Sequence, residues 1–154
     1  MKIKIIQVGK IKDRYLQDGI NEMIKRLQMF CGVEISTLTD NTKKGTPKEK
    51  IIAEESLKVS SMIPKNSLVV VLDEKGKEFT SVEFSKVLSS AKDRGETLVF
   101  VIGGPFGLSE NLKRNAGVLL SLSKMTFTHQ MIRLFLLEQI YRGFCILSGK
   151  EYHY

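Results

Sequence analysis

Apolar residues recur along this chain with two periods, and the switches between those periods lay out its elements. Ile3 and Ile5 alternate with polar residues before Ile6 breaks the pattern, and Gly9 closes a first strand, Lys2–Val8. Over 15–30, Leu16, Ile20, Met23, Ile24 and Leu27 fall at helical spacing, with Lys25 and Arg26 on the other side. A short strand over 33–38 and a polar, basic loop over 40–45 come next. Thr46-Pro47-Lys48-Glu49 then carries two helix-start signals: Thr46 with Glu49 as a capping box, and Pro47 in the first turn of a helix reaching about Met62. Leu68-Val69-Val70-Val71-Leu72 and Leu98-Val99-Phe100-Val101-Ile102 are unbroken apolar runs of strand length, as expected of strands covered on both faces in a parallel sheet. Asp73-Glu74-Lys75-Gly76 reads as the turn that ends the first run. Thr80 with Glu83 forms a second capping box, for a helix ending near Gly95. Ser109 caps a short helix over 110–116, a last strand spans 118–122, and Thr128 caps a long terminal helix over 128–148.

Strands alternating with helices predict an α/β fold, a mostly parallel sheet flanked by helices, in one domain over 1–154. The terminal helix is too apolar for a single stripe, since Met131, Leu134, Phe135, Leu137, Ile140, Tyr141, Phe144 and Cys145 exceed one face. It is either central in the core or covered by a second subunit.

Composition narrows the classes. Apolar residues make up 42% of the chain, which is ordinary for a globular protein. The longest apolar stretch, 131–147, is interrupted by Arg133, Glu138, Gln139, Arg142 and Gly143, so no membrane span is expected. The first residues are too short and alternating for a signal peptide, and a cytoplasmic location follows. Cys31 and Cys145 cannot build a disulfide framework, and with His129 and His153 they lack metal-ligand spacing, so no metal is expected. The net charge is +7, with the basic excess towards both ends. That suits a polyanionic partner, and equally a soluble surface that resists aggregation.

Gly103-Gly104 stands at the end of a buried strand, where ligands gather in open α/β sheets. The pair reads either as a place where a ligand approaches the backbone or as a tight turn needing positive φ. Neither a G-x-G-x-x-G, a Walker A nor a G-x-S-x-G sequence is present. Leu122, Ser123, Lys124, Met125, Thr126 and Phe127 lead into the terminal helix, whose first turn holds His129 and Gln130 beside free backbone N–H groups. The tail Lys150-Glu151-Tyr152-His153-Tyr154 is either a frayed end or a set of reagents folded over a site. On these residues alone the chain is an α/β protein that binds a ligand, an RNA, or both.

An ordered set of motifs goes further. It comprises Val8-Gly9-Lys10-Ile11-Lys12, Ile20-Asn21-Glu22-Met23-Ile24-Lys25-Arg26-Leu27, Leu72-Asp73-Glu74-Lys75-Gly76-Lys77 and Phe100-Val101-Ile102-Gly103-Gly104. It continues through Leu122-Ser123-Lys124-Met125-Thr126-Phe127, His129-Gln130, Arg133, Glu138-Gln139, Tyr141-Arg142 and Tyr152-His153. From end to end the chain resembles the RlmH (YbeA-like) family of SPOUT-class methyltransferases of ribosomal RNA. Thr128 stands where the family often has Pro, and both residues can begin a helix.

The resemblance implies S-adenosyl-L-methionine held in a C-terminal trefoil knot, an exception to the rule that chains avoid knots. It places the cofactor among three loops, at Leu72, at Gly103 and Gly104, and at Leu122, Ser123, Lys124, Met125, Thr126 and Phe127, with the glycines leaving room for the adenosine. It implies methylation of N3 of a pseudouridine in large-subunit (23S) rRNA, on the ribosome, by a homodimer. His153, Tyr152 and His129 are the candidates to help N3–H lose its proton, with Arg133 or Arg142 balancing charge on the base. The rival readings are a non-enzymatic RNA- or ribosome-binding α/β protein and a flavodoxin-like nucleotide binder.

Overall fold

Strand-length runs of Val, Ile, Leu and Phe can bury both faces only inside a layered sheet, and that is where the chain places them. The computed structural model describes residues 1–40 and 45–152. It has strands β1 (Lys2–Val8), β2 (Gly32–Leu38), β3 (Ser67–Glu78), β4 (Thr97–Ile102) and β5 (Val118–Ser121). Between and after them run helices α1 (Arg14–Leu27), α2 (Lys48–Ser61), α3 (Ser81–Asp93), α4 (Glu110–Arg114) and α5 (Met131–Leu147). The sheet order is β2-β1-β4-β3-β5 and every pairing is parallel.

Alternate residues of the central strands supply two cores. Ile3, Ile5, Val70, Leu98, Phe100 and Ile102 face α1, α3 and α5, where Leu136, Leu137, Ile140 and Phe144 of α5 are buried among them. Ile6, Val8, Val71, Val99 and Val101 face the other way, against Val59 of α2, Leu108 and Leu112 of α4. The terminal helix is therefore central in its layer, between α1 and α3, and this accounts for most of its excess apolar surface.

Two local expectations are corrected. The Thr46–Glu49 capping box does not form. Pro47 is the N-cap, its carbonyl accepting from the N–H groups of Lys50 and Ile51, so Glu49 sits at the second helical position, one residue too early to reach back. By contrast the Thr80–Glu83 box forms in full. The second correction is at 73–76, which does not end β3. Leu120 of β5 pairs first with Leu72 and again with Lys77, so the four residues arch out and the strand resumes. Their polar composition resembles a turn because the arch leaves the sheet. Residues 41–44 of the basic loop lie outside the described part of the chain.

Gly76 marks where the returning limb crosses β5. A Cβ there would lie 2.6 Å from the Leu120 carbonyl carbon, 2.7 Å from the Ser121 nitrogen and 2.8 Å from the Leu119 carbonyl carbon. These are backbone atoms of a sheet strand and have no rotamer to yield. Gly76→Ala is expected to cost at least the roughly 1–3 kcal/mol typical of overpacking. Urea denaturation, with Gly32→Ala as the control because nothing lies within 4 Å of its added Cβ, measures the difference.

Candidate cofactor cleft and active site

In a parallel sheet the carboxyl ends of all strands share one edge, and the loops beyond them can build a site together. Here the loops after β3, β4 and β5 converge on a cleft of about 910 Å³. Leu72, Gly103, Gly104, Leu122, Ser123, Met125, Thr126 and Phe127 all line it, and of the expected cofactor residues only Lys124 does not. Ile102 and Leu120 add apolar wall, while His129 and Gln130 contribute the entry to α5.

The glycines serve the loop itself. Gly103 and Gly104 do not have positive φ; Gly107, at φ +79, does. A Cβ on Gly103 would come within 2.9 Å of Leu108 Cγ and 3.3 Å of the Gly107 carbonyl carbon. One on Gly104 would meet Val8 Cγ1 and the Glu55 carboxylate, each at 3.1 Å. Part of the close approach is therefore of protein to protein, and the pair does not owe its glycines to positive φ, while both still line the cleft. A side chain at Gly103 perturbs the turn before it reaches any ligand.

The β3 arch is pinned by charge. Lys113 of α4 reaches the Asp73 carboxylate at 2.7 Å and Glu110 at 3.2 Å, while Asp73 accepts from the Lys75 N–H at 2.9 Å. Burial would raise the Asp73 carboxyl, but the Lys113 and Lys75 hydrogen bonds outweigh it and hold it below its ordinary value. Sequence reading missed Lys113, because its partner is 40 residues away and only the fold unites them. The 122–128 loop is set by its own side chains. Ser121 Oγ donates to the Ser123 carbonyl, Ser123 Oγ accepts from the Met125 N–H, and Thr128 Oγ1 accepts from the Met131 N–H at 3.2 Å. Thr128 thus satisfies one of the first free donors of α5, as the sequence suggests, although the regular helix begins at Met131.

The proposed chemical groups are split between the two ends of α5. His129 stands at the cleft, and partial burial, with Arg133 adding to it, pushes its imidazole below the ordinary value so that it stays neutral near pH 7. Arg133, only 2% exposed, is not among the residues lining the cleft and donates to the Val8 carbonyl at 2.7 Å, tying α5 to the end of β1. Its Nε and Nη1 have no hydrogen-bond partner among the described residues, and burial lowers its pKa to about 10. Arg142 lies nine residues further on, about 13 Å along the helix at ~1.5 Å per residue. There it pairs with Glu138 at 2.7 Å and sits 4.9 Å from the centroid of the Tyr152 ring. Tyr152 Oη donates to Glu138 at 3.3 Å, and the ring meets Tyr141 edge-on. Tyr152 is therefore held against α5 and is not among the residues lining the cleft of its own subunit. His153 lies outside the described residues.

The charge pin gives a pH signature. Because Asp73 is held below its unfolded value near 3.8, its contribution to stability is present above that pH and is lost as pH falls through the lower folded value. Lys113→Met is expected to cost about 1–2 kcal/mol at neutral pH, between the exposed and buried limits for ion pairs. Denaturant melts of both proteins from pH 7 to pH 3 check it: the difference should shrink at the acid end.

With this geometry in hand, known proteins can be compared. The family model described as "Predicted SPOUT methyltransferase" matches residues 1–153. Proteins named ribosomal RNA large subunit methyltransferase H from Geotalea daltonii and Clostridium acetobutylicum are 40% and 46% identical, over 100% and 99% of both chains. The Haemophilus influenzae structure titled a probable methylase family protein superposes with TM-score 0.55 at 11% identity, covering 99% of this chain and 70% of that one, a likeness of fold. Among the described residues no three His, Cys, Asp or Glu side chains form a metal-binding group, and no helix is long and apolar enough to cross a membrane. A match over nearly every residue, on a cleft built by the very loops the motifs single out, means that this chain belongs to the SPOUT methyltransferase family.

Proposed function

We propose that this protein methylates large-subunit ribosomal RNA using S-adenosyl-L-methionine, and that the acceptor is N3 of a pseudouridine, as the RlmH-like motifs imply. The observation that carries this reading is the convergence of all three motif-bearing loops on one cleft of about 910 Å³, a volume that suits a small cofactor. The residues fit such a group. Leu72, Ile102, Leu120 and Leu122 offer apolar surface to an adenine ring, and the 103–108 and 122–128 loops bring backbone groups that the sheet does not use. The bound cofactor supplies a methyl group already activated by its sulfonium.

The chain's own residues then have three duties: to hold the donor in line with the acceptor, to exclude water, and to take the N3 proton. With the methyl group supplied by the cofactor, which keeps its sulfur as a neutral thioether, the task left to the chain's residues is to accept the N3 proton. Neutral His129 is the base candidate on the cleft itself. Arg142 and Tyr152 stand further along α5 and beyond its end, away from this subunit's cleft, and a homodimer that set them against the partner's cleft would bring them to the chemistry. Exposed Tyr15, Met29 and Leu147 leave apolar surface for such a contact. A single domain over 1–154 and a ribosomal partner in the cytoplasm complete the proposal. The non-enzymatic RNA-binding alternative gains no observation of its own.

The decisive experiment is calorimetric titration with S-adenosylmethionine, followed by methyl transfer to ribosomes that lack the modification; absence of both removes the proposal. Sedimentation equilibrium is expected to give twice the 17.4 kDa chain mass. Deleting residues 152–154 should leave cofactor binding intact and slow single-turnover methylation by roughly 10²–10⁴-fold, the range for acid–base groups. Wild-type rates from the truncated chain would assign the proton to His129 or to water.

A further inference from the structure

Phe106 is 39% exposed at the rim of the cleft, an uncommon position for a phenylalanine that neither fills a core nor packs under a loop. Its placement is fixed. The Gly107 N–H donates to the Gly104 carbonyl at 3.0 Å, so Gly104-Pro105-Phe106-Gly107 is a closed turn with Pro105 at its second position. A proline there presets the backbone, and Gly107 at φ +79 takes the left-handed exit. The ring is therefore presented at little conformational cost, as a recognition surface requires.

A cation accompanies it. Lys48, the first residue of α2, holds its ammonium 5.8 Å from the centroid of the Phe106 ring and also lines the cleft. It makes no ion pair with a described residue. Met125, 72% exposed on the loop after β5, adds apolar surface to the same rim. An exposed ring beside an ammonium with no carboxylate partner among the described residues matches the chemistry of a nucleotide, whose base offers a flat π-face and whose phosphate offers a charge. S-adenosylmethionine offers a single carboxylate beside its cationic sulfonium, whereas each nucleotide of an RNA strand offers a phosphate next to a base, so a lysine paired with an exposed ring suits the strand.

We propose that Phe106 and Lys48 form a nucleotide platform at the mouth of the cleft, the ring stacking on an unpaired base of the RNA substrate and the ammonium holding a phosphate of the same strand. This rests on the reading of the protein as an RNA methyltransferase and adds to it how the strand is gripped. Reaching N3 requires a base out of its helix, and extruding it leaves neighbouring bases to be restacked. A platform at the mouth of the cleft would be available to such a neighbour.

The chain contains no Trp, so Phe106→Trp places a single reporter on the platform. Titration with a short single-stranded oligoribonucleotide should quench its fluorescence saturably. Leu57→Trp, at an exposed site on α2, should stay unquenched. In parallel, Phe106→Ala should lower kcat/KM for unmodified ribosomes roughly 10- to 100-fold, the range for losing one stacked base, with unchanged calorimetric affinity for S-adenosylmethionine. Phe106→Tyr should restore the rate, and Lys48→Ala should reduce the salt slope of ribosome binding by about one. Absence of quenching, an undiminished Phe106→Ala enzyme, or a loss that appears wholly in cofactor affinity would each overturn the platform. Quenching by a wild-type-like fold that methylates no ribosome would instead sustain the platform and remove the proposed reaction.

Discussion

Two stretches of backbone lie closer together at Gly76 than any side chain allows, and the arrangement of the cleft depends on that contact. Leu120 is paired by β3 both before and after the arch at 73–76, with the returning limb laid on the peptide groups of Leu119, Leu120 and Ser121. This fixes the end of β5 relative to the end of β3, and therefore where the 122–128 loop must start. The Asp73–Lys113 pair then holds the arch to α4, whose Ser109 cap follows the Gly104–Gly107 turn. All three cleft loops are thus referred to one rigid crossing. Precise placement of donor and acceptor is what a transfer reaction with an already activated group needs most.

Helix α5 links this edge to the rest of the molecule. Its middle is buried between α1 and α3, while its two ends carry polar groups with different surroundings. At the start, Arg133 is tied to β1 by one strong bond and otherwise desolvated, a costly arrangement that keeps a positive charge behind His129. From mid-helix onwards, Glu138 gathers Arg142 and Tyr152 into a network that also includes the Tyr141 ring. Such a network holds the last residues of the described chain in place where ends ordinarily fray. The helix core sets the distance between these two groups of side chains.

Much of the fold was legible in the sequence because its signals are local. The Lys2–Val8 strand, the Thr80–Glu83 box and the two unbroken apolar runs each depend on neighbours within a few residues. The arch at 73–76 was not legible as part of a strand. Its charged residues carry turn chemistry, and only the second pairing with Leu120 reveals that the strand resumes. The cleft-lining loops were readable through their motifs, whereas the roles of individual residues were not. Gly103 packs within its own turn against Leu108, and Gly104 against Val8 and Glu55 of distant segments, and neither environment is marked in the sequence. The burial of Arg133 and its bond to Val8 are likewise invisible in the sequence. Phe106 drew no notice, since a lone aromatic in a turn has no periodicity to mark it.

The all-parallel order β2-β1-β4-β3-β5 also sets a timetable for folding. Ile3 of β1 finds Val33 of β2 soon after both are made, but its other neighbour, Leu98 of β4, follows about 95 residues later. At synthesis rates of roughly 5–20 residues per second, the inner edge of β1 waits about 5–20 s for its partner. Contacts so distant in sequence slow the search and leave an unpaired strand edge exposed meanwhile. The sheet therefore closes late, when β4 enters between β1 and β3, and the cleft cannot exist before the last quarter of the chain has emerged.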